Sequence, residues 1–124
     1  LAASMAALTG VVLPDDGIID SYNLLGALLG KRGAKGRDHI ISQDNGLRGT
    51  YGIRVGEWKL QRHDAKKMYN GDLSMKTSAV PQYALYNLNK DIGETTNVAD
   101  KYPKVTIQLK SKLQGIIDNG RSRN

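Results

Sequence analysis

Cysteine is absent from the 124 residues, so neither a disulfide nor a thiolate metal site can form. Phenylalanine is absent as well. One Trp and six Tyr are the whole aromatic supply, which is thin for a core that must stand alone. No apolar run reaches the roughly 18 residues of a membrane-spanning helix. The apolar start, Leu1-Ala2-Ala3-Ser4-Met5-Ala6-Ala7-Leu8, has no basic leader before it and does not begin with Met, as expected of a piece of a longer protein. Acid is also scarce: 12 Asp and Glu face 18 Lys and Arg, for a net charge of +6.

What is present reads as one domain by length. A chain of this size buries roughly two-thirds of its extended surface, enough for a modest core. The positive excess gathers at Lys31, Arg32, Lys35 and Arg37, with no acid among them, and at Arg121 and Arg123. Such a surface attracts nucleic acid, anionic lipid or sulfated sugar over a Debye length of ~8–10 Å. A solvated Gly-rich loop and a frayed end are the simpler reading. No aromatic lies in Lys31–Arg37 to stack on bases, which makes nucleic acid an unfavoured partner.

Periodicity divides the chain. Residues 1–8 read as a helix closed by Gly10 in the left-handed region. Pro14, Asp16 and Gly17 mark a turn. Asp20 or Ser21 is positioned to cap a helix over 21–29, and Gly30 ends it. Its Leu24, Leu25, Leu28 and Leu29 share one face and find no partner in the chain. An exposed apolar patch there, or self-association through it, is expected.

From His39 the period becomes 2. A strand over 39–43 leads through Asp44-Asn45-Gly46 to a hairpin: Tyr51, Ile53 and Val55 on one face, a reversal at Val55-Gly56, then Trp58 and Leu60 alternating with Lys59 and Gln61. Residues 64–82 show no clear period. A strand through Tyr86 and Leu88 follows. Pro103 then opens a helix with the stripe Val105, Leu109, Leu113, Ile116 and Ile117, ended by Asn119-Gly120. The sum is an α+β fold: an antiparallel sheet of about four strands, covered by a C-terminal helix, with short N-terminal helices.

Three segments then carry a resemblance. Leu85-Tyr86-Asn87-Leu88, followed by Asp91-Ile92-Gly93-Glu94-Thr95-Thr96-Asn97-Val98-Ala99, resembles the type I sulfatase pattern Leu-Tyr-Asp-Leu … Asp-Pro-Gly-Glu-Thr-x-Asn-Leu-Ala. Ile53-Arg54-Val55-Gly56-Glu57-Trp58-Lys59-Leu60 is similar to that family's Ile-Arg-x-Gly-x-Trp-Lys-Leu. Ala6-Ala7-Leu8-Thr9-Gly10, with Ile19-Asp20 and Leu24 through Lys31, is similar to the passage from its large domain to its small one. Asn87 and Ile92 depart from the common Asp and Pro, which implies a looser turn.

The resemblance implies that residues 1–37 are the end of the large sulfatase domain and a linker, and 38–124 a small sheet–helix subdomain. It implies a parent that hydrolyses aryl or carbohydrate sulfates with a formylglycine nucleophile and calcium, in the periplasm or outside the cell. The family's nucleophile motif and its calcium carboxylates have no counterpart in this sequence, so no catalytic or metal residue is carried over. The expected partner is the catalytic large domain of the same protein, with a sulfated small molecule or carbohydrate in the parent's pocket. Gln43, Asn45 and Arg48 are candidates for a substrate rim, because polar loop residues on a rigid sheet often contact ligands. His39 and His63, on separate strands, read as surface groups. Asp91 and Glu94 read as acids that satisfy free amides in a turn before a helix. The alternative is a stand-alone basic module for acidic carbohydrate or nucleic acid.

Overall fold

The computed structural model describes residues 1–14, 16–44, 50–63, 69–70, 75–76 and 81–122. The elements are α1 (Ala2–Thr9), α2 (Leu25–Leu28), β1 (Ile40–Gln43), β2 (Tyr51–Val55), β3 (Trp58–Arg62), β4 (Tyr69–Asn70), β5 (Met75–Lys76), β6 (Tyr83–Asn87) and α3 (Pro103–Asn119). They form two compact units, one of residues 1–38 with 114–124 and one of residues 39–113.

The second unit is built on a four-stranded antiparallel sheet in the order β1-β2-β3-β6. Register places Ile41 opposite Ile53, Ile53 opposite Leu60 and Leu60 opposite Leu85, so the apolar alternation of each strand falls on one face. Ile53, Leu60 and Leu85 are fully buried there, and Leu109 and Leu113 of α3 are buried with them. Burial of each such side chain contributes ~1.5–3 kcal/mol. Lys110 Nζ of α3 lies 4.1 Å from the Tyr83 ring centroid, which fixes the helix over that face. Trp58 stays half-buried and meets Tyr102, just before α3, with centroids 4.8 Å apart. The β2–β3 hairpin closes on two residues. Gly56 has φ 57 while Glu57 keeps a negative φ, as a type II′ reversal requires.

The β6 edge is closed by the segment after it. Leu85 N–H donates to Asn97 Oδ1 at 3.0 Å, and Val98 N–H donates to the Leu85 carbonyl at 2.8 Å. Asn87, buried, accepts from Asn89 N–H at 3.1 Å, so the amide serves the turn that a carboxylate commonly serves. The small β4–β5 pair lies inside 64–82, where the sequence shows no period. Two-residue strands are too short to carry one.

The first unit has almost no core. Ala3 and Ser4 are its buried residues among those described, and nine of the twelve exposed large apolar side chains belong to it, Val12 and Leu1 being 91% and 73% exposed. Polar bonds hold it instead. Ala3 N–H donates to Ser21 Oγ at 3.0 Å, and Leu24 N–H donates to Ser4 Oγ at 2.9 Å. Gly10 (φ 74) closes α1 as expected, with Val11 N–H on the Ala6 carbonyl.

The expected helix over 21–29 is a single turn, Leu25–Leu28. Its supposed caps are used at long range: Ser21 on α1, and Asp20 Oδ1 on Ser122 N–H at 2.8 Å. Asn23 Oδ1 accepts from Leu25 N–H instead. Leu28 and Leu29 are exposed, and Leu24 and Leu25 half-buried.

Candidate functional site

The face of the sheet away from α3 is polar by register. Ser42, Gly52, Arg54, Lys59, Gln61 and Tyr86 alternate with the buried residues. Its centre is Glu94, delivered by the segment after β6. Lys59 Nζ donates to Glu94 Oε1 at 2.6 Å and Gln61 Nε2 to Oε2 at 3.1 Å. Both charged side chains are about three-quarters shielded from solvent, so the pair is screened less than a surface pair. Glu94 holds φ 54, a conformation that costs a non-glycine residue ~1–2 kcal/mol. The two hydrogen bonds from the sheet offset that cost. On the same face a Cβ at Gly52 would stand 2.7 Å from Ser42 Oγ, so the bare backbone leaves room for the Ser42 hydroxyl.

The structure pairs Lys59 with Glu94, and gives Glu57 Oε2 to Asn89 Nδ2 at 3.1 Å. Of the two turn acids, Asp91 serves its own turn: Thr96 N–H donates to Oδ2 at 2.8 Å and the Thr95 hydroxyl to Oδ1 at 3.1 Å. These bonds hold the Asp91 carboxyl below the usual carboxylate range. Burial, then the negative charges of Glu94 and Asp91, push the Tyr86 phenol up. Burial lowers the imidazole pKa of His63.

The arrangement positions rather than reacts. Each acid of the face is already matched by donors, the Glu94 carboxylate by the Lys59 ammonium and the Gln61 amide. Among the described residues no three of His, Asp and Glu converge as metal ligands, so the donors present do not fit a calcium site. Gln43 sits at the exposed end of β1, opposite Tyr51. Next to it Asp44 and Thr50 close the β1–β2 loop through two 3.0 Å bonds. Asn45 and Arg48 lie outside the described residues. Glu94 as an anchor to the sheet, and Asn97 as the closure of β6, escaped the reading of residues. Both stand in the Gly93–Asn97 run that the resemblance had already marked.

In the first unit, Arg37 stacks over Tyr22 at 4.8 Å and its Nη2 donates to the Asp20 carbonyl at 3.3 Å. Beside it a concavity of about 440 Å³ is walled by Leu1, Ala2, Ile18 and Ile19.

Comparison with known proteins places this geometry. No family model matches the chain. An N-acetylgalactosamine-6-O-sulfatase of Bacteroides thetaiotaomicron is 35% identical over 92% of the chain, which spans 22% of that protein. Arylsulfatase K of the dog is 35% identical over 64% of the chain, and that of the mouse 27% over 93%; the chain spans 13% and 20% of them. A solved structure from work on the metabolism of multiple glycosaminoglycans by Bacteroides thetaiotaomicron superposes with a TM-score of 0.77 at 32% identity. It covers 92% of this chain and 23% of its own. The chain thus spans about a fifth or less of the curated relatives it matches.

Proposed function

Because the chain belongs to the sulfatase family, as a C-terminal portion of it, we propose that it is the supporting lobe of an enzyme that hydrolyses sulfate esters. The reacting groups, a formylglycine nucleophile and calcium by family resemblance, belong to the large domain of the same protein. The lobe alone is inactive. Residues 1–37 complete that large domain and lead out of it, and residues 38–124 form the small sheet–helix subdomain. Carbohydrate sulfates are the favoured substrate class, since the bacterial relative is named for a sulfated amino sugar. Gln43, Asn45 and Arg48 border the substrate pocket in this reading.

The observation that carries it is the bare apolar surface of residues 1–38. Nine large apolar side chains exposed in one small unit are far more than a free-standing domain keeps without a partner. The rest of a protein about five times longer supplies that partner. A second reading, a stand-alone module for acidic carbohydrate or nucleic acid, is favoured by the acid-free run from Lys31 to Arg37 alone.

The test compares the chain with the longer protein that contains it, each assayed on an aryl sulfate and an aryl phosphate. Sulfate turnover by the longer protein only is expected. Turnover by the isolated chain would remove the supporting role, and preference for phosphate would remove the sulfatase assignment.

A further inference from the structure

We propose that the loop bearing Lys31, Arg32 and Lys35, together with Arg37, is a binding site for an extended sulfated polysaccharide. The choice of sulfated carbohydrate among polyanions rests on the sulfatase reading above. The charge itself does not.

All four side chains are exposed. Among the described residues, none of Lys31, Arg32 and Lys35 has an acidic partner in an ion pair. The loop has a defined shape. Gly30 and Gly33 hold φ 67 and 78, which glycine adopts at little cost. Lys31 N–H donates to the Gly26 carbonyl at 2.8 Å, and Ala34 N–H to the Lys31 carbonyl at 3.0 Å. Gly26 leaves only van der Waals room for Ala34, whose Cβ would stand 3.4 Å from an added Cβ. The backbone that carries the charges is therefore shaped before a ligand arrives, which reduces the entropy lost on binding.

Arg37 is fixed more firmly. Its guanidinium is stacked on Tyr22 and tied to the Asp20 carbonyl, leaving further N–H groups in the planar fork that suits sulfate oxygens. The same two residues anchor the other basic end of the sequence. Asp20 Oδ1 accepts from Ser122 N–H, and Tyr22 Oη donates to the Ser122 carbonyl. The backbone of Arg121–Ser122, about a hundred residues away in sequence, is thus brought to the segment that positions Arg37.

Four cations within the seven residues from Lys31 to Arg37 suit a polymer with repeated anionic groups better than a single small anion. Nucleic acid is the weaker fit. Tyr22 is the one aromatic in residues 1–38, and its ring already carries Arg37, leaving that face unavailable for a base to stack on.

The probes are chondroitin 6-sulfate, unsulfated hyaluronan of matched length, and a DNA duplex of matched charge. Each is titrated against the full chain at about 50 and 200 mM salt, which shortens the Debye length. Chondroitin 6-sulfate is expected to bind in preference to both other probes, and at least tenfold more weakly at the higher salt. The triple variant Lys31→Ser, Arg32→Ser, Lys35→Ser should weaken it at least tenfold, with an unchanged unfolding midpoint. Lys104→Ser, which removes an exposed charge on α3, should change nothing. Equal binding by the triple variant, or equal binding of hyaluronan, overturns the site. Tighter binding of the duplex overturns the choice of ligand. Aryl sulfate turnover by the longer protein is read separately and should not respond to the triple variant. Loss of polymer binding with turnover intact supports this site, whereas binding in a protein without turnover would break the sulfatase reading and leave a polyanion site.

Discussion

The two units of this chain are held by different forces. Residues 39–113 bury Ile53, Leu60, Leu85 and Leu113 almost completely, on strands whose alternation and register agree. Residues 1–38 bury a serine hydroxyl and an alanine, expose most of their large apolar side chains, and depend on bonds such as Leu24 N–H to Ser4 Oγ. The difference teaches where each unit's stability comes from. The sheet carries its own hydrophobic term. The helical unit satisfies its backbone but leaves its apolar term to be collected elsewhere.

The contrast is broken most directly by matched truncations. Leu60→Ala should destabilise the chain by about 2–5 kcal/mol, whereas Leu28→Ala should stay within about 0.5 kcal/mol. Urea unfolding of the two variants checks both, and equal losses would erase the distinction between the units. The next effect sharpens what the polar face contributes to the sheet. Glu94→Ala leaves Lys59 and Gln61 without their acceptor and should cost about 1–3 kcal/mol. A double-mutant cycle with Lys59→Ala isolates the pair, and a coupling near zero would reduce Glu94 to a loop residue.

The smallest effect is in pH. The fold lowers the Asp91 pKa, so its contribution is fully present above the ordinary value of 3.8 and is lost as pH falls through the lowered value. Asp91→Asn should flatten the acid limb of the stability curve below pH 3.8. His63 works on a different range: burial lowers its pKa, so the unfolded chain takes up the proton first and stability declines as pH drops through 6.5. An acid limb unchanged by Asp91→Asn would assign it to other groups.

Much of the second unit is legible in the sequence because its signals are local. Gly56 marks the hairpin, Pro103 opens α3, and Leu109 and Leu113 lie in its predicted stripe. What the sequence hides is set by distant pairs. Asp20 and Ser21 look like helix caps, yet their partners are 102 and 18 residues away, so α2 shrinks to one turn. Lys59 finds Glu94 across 35 positions rather than its strand neighbour. No periodicity reports the left-handed backbone of Glu94. Of the rim candidates, Gln43 falls on a described strand, and Asn45 and Arg48 lie outside the described residues.

The closure of β6 by Asn97 and Val98 makes the sheet one-sided in its capacity to grow. One flank has the outward main-chain groups of Leu85 and the Asn87 carbonyl occupied, while among the described residues β1, with Ile40 more than half exposed, pairs on one side only. Any additional ribbon of main chain, whether from the same polypeptide or another, can extend this layer in a single direction only.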